Sequence, residues 1–192
     1  MARIVGAYYR GQAETLVSSF YFPPLKPAWH SAKQVGVLLC PEILQAVPEQ
    51  HDHVVAYLRR KVPANVLEAL AASGCAVQVY GLGAHPSRGS LSFFDVDPFH
   101  FVEDLASSRA LTCTAGNQLV GEALFLGKPV LAMPEPGNHE QSVNAHFLVA
   151  SEAGQAVAMP ALTADRVRAF LDRGDDYQTR IDRARLCGMT SG

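Results

Sequence analysis

From His53 onward, short β-branched apolar runs alternate with stretches of helical periodicity. This alternation constrains the fold more than any other feature. Strands separated by helices of this length pair in parallel, through right-handed crossovers. Val54-Val55-Ala56-Tyr57-Leu58 reads as a buried strand. A helix carrying Val66, Leu67, Leu70 and Ala71 follows, with Pro63 in its first turn and Gly74 as its stop. Ala76 to Tyr80 and Leu91 to Phe94 are the next strands. Asp97-Pro98 then opens a helix, with Asp97 as the N-cap. Ala110 to Cys113 is a strand, followed by a helix through Leu119 to Leu126 that Gly127 ends. A fifth strand lies within Pro129 to Met133, and a helix covers about Gln141 to Ala150. Ala156 to Met159 is the sixth strand, Thr163 caps a further helix, and a polar helix runs from Asp176 to Leu186. The expected fold is α/β, a Rossmann-like doubly wound parallel sheet of about six strands.

The first 50 or so residues do not share this rhythm. Pro23, Pro24, Pro27, Pro41 and Pro48 interrupt them, and Val35 to Leu39 is their one strand-like run. They read as an irregular N-terminal extension.

Composition narrows the function. Of 192 residues, 48% are hydrophobic and 18% charged, which excludes a disordered or coiled-coil chain. The net charge of -2 lacks the basic excess that neutralises phosphates in nucleic-acid binders, so no nucleic-acid partner is expected. No stretch approaches the ~18 apolar residues of a membrane span. The first ten residues hold no apolar core of a secretory signal, so the expected location is cytoplasmic. Cys40, Cys75, Cys113 and Cys187 are isolated, and the histidines lack metal-ligand spacing. Neither a metal nor a cofactor is expected.

Ligands of open α/β sheets bind outside the carboxyl ends of the strands, at the switch point of strand order. Two loops there are dense in polar groups. Thr114-Ala115-Gly116-Asn117-Gln118 enters a helix, whose free N–H groups and dipole favour a phosphate. Glu122, one turn in, can accept hydrogen bonds from a ribose diol. Pro134 to Gln141 contains His139, Glu140 and Gln141, suited to sugar hydroxyls, while Asn144 is placed either there or as a brace for the loop. Arg59-Arg60-Lys61 follows the first strand of the sheet, where Arg59 and Arg60 are candidate diphosphate ligands. No serine nucleophile elbow and no Gly-x-Gly-x-x-Gly motif is present.

Together these loops resemble a known pattern. The stretch from Thr114 to Pro134, followed by Glu140-Gln141-Ser142-Val143-Asn144-Ala145, is similar to the C-terminal donor-binding domain of GT-B glycosyltransferases. The resemblance is to the branch of the peptidoglycan N-acetylglucosaminyl transferase and the UDP-glycosyltransferases, and it covers about residues 34 to 172. It carries a Gly loop (Gly116), a Glu six residues on (Glu122), Gly127-Lys128-Pro129, a strand, Pro134, and Glu140-Gln141 with Asn144-Ala145.

The resemblance implies roles residue by residue. Thr114, Gly116, Asn117 and Gln118 would line the donor pocket, with Gly116 and Asn117 at the diphosphate. Glu122 would bind the ribose, Glu140 and Gln141 would contact the sugar hydroxyls, and His139 is the one histidine expected at the site. The loop from Phe94 to Phe99 would approach the base. Thr114 stands where many relatives carry a His, and the Arg59 loop replaces a small Gly/Ser turn. A GT-B enzyme has two such domains, and one fits here. Residues 1–45 are therefore expected to be the tail of an N-terminal acceptor domain and its linker, and 46–192 the donor domain. The implied partners are a nucleotide-sugar donor, a missing or separate N-terminal domain, and a membrane surface touched through that domain. The chain alone is expected to be inactive. The alternatives are a separate subunit of a two-chain transferase and a non-catalytic nucleotide-binding module.

Overall fold

The computed structural model describes residues 13–59 and 62–186. Six strands form one wholly parallel sheet: β3 (His53–Tyr57), β4 (Ala76–Tyr80), β5 (Leu91–Phe94), β6 (Ala110–Cys113), β7 (Val130–Ala132) and β8 (Gly154–Ala156). Their spatial order is β5-β4-β3-β6-β7-β8. The chain first winds outward from β3 to β5, then returns to β6 on the other side of β3. The switch point of the doubly wound fold therefore lies between β3 and β6, where Tyr57 is in register with Cys113.

Two apolar layers hold the sheet. On one face, Val55, Leu111 and Val130 pack in the layer that contains Leu105, Val120 and Leu148. These last three come from α3 (Pro98–Ser107), α4 (Asn117–Phe125) and α5 (His139–Ala150). On the other face, Val54, Ala56 and Leu131 share a layer with Val66, Leu70, Val167 and Phe170. Those are carried by α2 (Ala64–Ala71) and α6 (Ala164–Asp172). Burial on both faces explains why the central strands β3, β6 and β7 read as apolar runs without polar alternation.

The N-terminal extension is more ordered than its prolines suggest. β1 (Leu16–Ser18) and β2 (Lys33–Val35) form a two-stranded parallel sheet of their own. The expected strand at Val35 to Leu39 lies instead at β2. Beyond it Val37 is fully buried while Leu38 is 74% exposed, because this segment lays one side chain onto α4 and turns the next outward. The short helix α1 (Pro41–Gln45) follows, and Phe20, Val37 and Ile43 join the α3–α4–α5 layer.

Helix starts follow local chemistry. Asp97 caps α3 by accepting from the N–H groups of Phe99 and His100. Asn138 caps α5 through the Gln141 N–H at 3.1 Å, which moves that helix two residues earlier than expected. Thr163 caps α6. Two expectations shift. The sixth strand is Gly154–Ala156 and not Ala156 to Met159, since Met159 and Pro160 begin a 3-10 turn, and Gly154 lies so close to Val130 that a Cβ there would be 2.1 Å from its carbonyl oxygen. The expected helix from Asp176 to Leu186 is two pieces, α7 (Gly174–Gln178) and α8 (Arg183–Leu186). At the break, the Thr179 hydroxyl donates to the Asp176 carbonyl at 2.7 Å.

Candidate functional site

The loop after β6 is the centre of the switch point. Ala115 is fully buried and takes a left-handed backbone conformation, φ 63°, which costs a non-glycine residue about 1–2 kcal/mol. Its carbonyl accepts a hydrogen bond from the buried Asn144 amide at 2.9 Å. Of the two placements expected for Asn144, this contact makes it the brace of the loop. The turn points the chain into α4 through Gly116, the N-cap residue.

Unlike α3, α5 and α6, helix α4 begins with no side-chain cap. Among the described residues, the N–H groups of Asn117, Gln118 and Leu119 have no protein acceptor. A side chain at Gly116 would meet no atom within 4 Å. The first turn of α4 is thus open, with three aligned donors and the positive end of the dipole facing the crevice. Thr114, two residues before Gly116, is 7% exposed.

Glu122 is half-buried one turn further on. Burial holds its carboxyl above the usual carboxylate range, against the opposing effect of a hydrogen bond from Gln118. The Gln118 amide donates to both Glu122 Oε1 (2.8 Å) and the Leu38 carbonyl (2.6 Å). The Asn117 amide donates to the Ser18 carbonyl at 3.4 Å. The N-terminal arm therefore forms one rim of the crevice, and Leu38 and Ser18 belong to its surroundings. Neither has a sequence signal, since each takes part through a backbone carbonyl.

The opposite wall is the loop after β7. Gln141 is 4% exposed, and both ends of its amide are used within the protein. Its Oε1 accepts from the Glu135 N–H at 2.7 Å, and its Nε2 donates to Glu135 Oε2 at 3.2 Å. Gln141 thus shapes the loop, while its neighbours His139 and Glu140 are exposed on the first turn of α5. Glu135 also receives Arg59 Nη1 at 3.4 Å. Glu135 is the charged residue that sequence reading passed over. Its signal was its position, three residues past the end of a sheet strand, between Pro134 and Pro136. Arg60 lies outside the described residues, as does Lys61.

The wall on the β4–β5 side joins two loops, where Asp95 Oδ1 accepts from the Ala84 N–H at 3.1 Å. Phe94 stacks on Tyr80, with ring centroids 5.5 Å apart. The Tyr80 hydroxyl donates to Asp104, and burial raises its pKa. Burial likewise pushes the Cys113 thiol up to about 12, so it serves packing. Among the described residues no group of three or more His, Cys, Asp or Glu is placed to hold a metal ion. No helix there is long and apolar enough to cross a membrane.

The family model described as Glycosyl transferase family 1 matches residues 2–174. The chain belongs to that family. Its sheet and helices match one half of the GT-B glycosyltransferase fold. The calicheamicin glycosyltransferase CalG4 superposes with a TM-score of 0.63 at 17% identity, over 95% of this chain and 50% of that one. LpCGTa, solved in complex with UDP, superposes with a TM-score of 0.60 at 22% identity, over 84% of this chain and 44% of that one. A curated relative from Rhizobium leguminosarum is 30% identical over 40% of this chain and 22% of its own length. It is the UDP-N-acetylglucosamine--N-acetylmuramyl-(pentapeptide) pyrophosphoryl-undecaprenol N-acetylglucosamine transferase. An uncharacterized glycosyltransferase from Methanosarcina acetivorans is 26% identical over 62% of this chain and 32% of its own length. This family member thus spans half or less of the solved structures, and a third or less of the curated proteins, that it resembles.

Proposed function

We propose that this chain is the donor-binding half of a glycosyltransferase that moves a sugar from a nucleoside diphosphate sugar, UDP in the first instance, to an acceptor hydroxyl. The observation that carries this reading is the uncapped first turn of α4 at the switch point, with Glu122 one turn further on and Arg59 beyond the end of the neighbouring strand β3. The three free N–H groups suit the diphosphate, with Thr114 two residues before Gly116. Arg59, and Arg60 beside it, add positive charge. Glu122 suits the ribose diol, and the loops of Leu82 to His85 and Phe94 to Phe99 the base. His139 and Glu140 face the sugar, while Gln141 holds the wall on which they stand. UDP is favoured because the Rhizobium relative is named for a UDP-sugar donor.

In the reaction, an acceptor oxygen attacks the anomeric carbon while its bond to the β-phosphate oxygen breaks. This half stabilises the charge developing on the departing diphosphate, through the α4 N–H groups and Arg59. The acceptor and the base that takes its proton come from a second α/β domain, in the same or a separate polypeptide. Residues 1–45 fit the tail and linker of such a domain, and a cytoplasmic setting supplies nucleotide sugars. This half then binds donor and transfers nothing by itself.

Calorimetry with UDP and a panel of UDP-sugars tests the reading. Saturable binding that Glu122→Ala abolishes supports it. No binding to any of them overturns it. Binding of UDP with no discrimination among sugars points instead to a non-catalytic nucleotide module.

A further inference from the structure

Resting on that reading, we propose that Glu135 is a placeholder anion, which occupies Arg59 until the donor diphosphate takes its place. The two residues follow β3 and β7, which are not neighbours but flank β6 on either side. Two strand spacings separate them, roughly 10 Å. Their contact therefore spans the carboxyl end of β6, the mouth through which a diphosphate reaches the first turn of α4.

The two partners are held unequally. Glu135 is fixed, since its N–H and its carboxylate both bond the buried Gln141 amide, at 2.7 and 3.2 Å. Its side chain is 29% exposed, against 60% for Arg59. Arg59 is the less constrained member, the more exposed of the two and joined to Glu135 by a single contact of 3.4 Å and not a bidentate pair. Such an exposed ion pair is worth little by itself. A diphosphate offers Arg59 more charge and paired oxygens in fork geometry. Exchange then leaves Glu135 on its Gln141 bracket, beside the bound anion, where like charges oppose. Glu135 thereby lowers donor affinity and speeds release of the product diphosphate, and it acts as a positioning residue through Arg59.

Glu135→Gln isolates the charge, because an amide oxygen still accepts from Gln141 Nε2 and the backbone N–H is untouched. Calorimetry compares the wild type, Glu135→Gln, Arg59→Gln, Arg59→Lys and the double variant Arg59→Gln/Glu135→Gln, with UDP and with uridine. Thermal denaturation confirms that each is folded. Glu135→Gln is expected to bind UDP about three- to tenfold tighter, and Arg59→Gln about tenfold or more weaker. The gain from Glu135→Gln should be smaller in the Arg59→Gln background than in the wild type, Arg59→Lys should retain part of the affinity, and uridine binding should not move. If the wild type binds UDP but Glu135→Gln weakens it or leaves it unchanged, the placeholder role fails and the donor-binding reading stands. If the wild type does not bind UDP, both fail.

Discussion

Val37 fills the notch that Gly121 leaves in α4: a Cβ at position 121 would lie 2.4 Å from a Val37 methyl. The contact presses the N-terminal arm onto the helix that carries Glu122. Val37 is β-branched and fully buried, so it cannot swing aside. Gly121→Ala is therefore expected to destabilise the chain by about 1–3 kcal/mol, despite the better helix propensity of alanine. Urea denaturation reads the loss, and Gly121→Ala combined with Val37→Ala should recover part of it.

The Asn144–Ala115 bond holds a backbone turn that alanine adopts at a cost. Asn144→Ala removes the donor and leaves a buried carbonyl unpaired, an expected loss of about 1–3 kcal/mol. Nucleotide affinity should fall with it, because the loop sets the direction of the first turn of α4. Unchanged UDP affinity in a folded Asn144→Ala protein would detach the brace from the site.

Glu122 has a pH signature. Its carboxyl titrates above the usual range in the folded chain, so between the two values the folded state binds more protons than the unfolded one. Stability from this group is full below the ordinary glutamate pKa and is lost as pH rises through the folded value. Glu122→Gln should raise the denaturation midpoint at pH 7 relative to wild type, and less so at pH 4. It should also weaken UDP binding, since an amide offers the ribose diol one acceptor in place of two.

Lys128 carries the opposite sign at alkaline pH. It is 2% exposed and donates to the Glu49 carbonyl. Burial, reinforced by the nearby Arg183 charge, lowers its pKa to about 8 from 10.5. The unfolded chain binds more protons between those values, so this group's contribution to stability rises with pH from about 8 to 10.5. The difference between wild type and Lys128→Met in chemical denaturation, followed across that range, should change in this direction. A flat difference would contradict it.

The sheet was legible because its central strands β3, β6 and β7 are buried on both faces, and apolar runs such as Val54 to Leu58 have no other use in a chain of this length. Asp97 and Thr163 announced their helices because capping is local chemistry. The loop from Thr114 to Gln118 and Glu122 stood out for the same reason, as a glycine-containing turn running into a helix. What stayed hidden depends on contacts between distant segments. Gln141 looks like a sugar ligand from its neighbours in sequence, yet its amide closes on Glu135. Leu38 and Ser18 reach the crevice through carbonyls, which no side chain advertises. β8 starts two residues early, at a glycine that lies against the Val130 carbonyl.

The strand order has a consequence for how this crevice comes into being. β3 and β6 are neighbours in the sheet although β4 and β5 lie between them in the chain, with 52 residues between Tyr57 and Ala110. A partly folded chain with β3, β4 and β5 paired has one wall and no seat for an anion. Joining β3 to β6 is a non-local step, closed against the entropy of that intervening loop. Capture of a nucleotide during refolding should therefore coincide with hydrogen-exchange protection at Val55 and Leu111. On the donor-binding reading, capture of a nucleotide reports the pairing of β3 with β6.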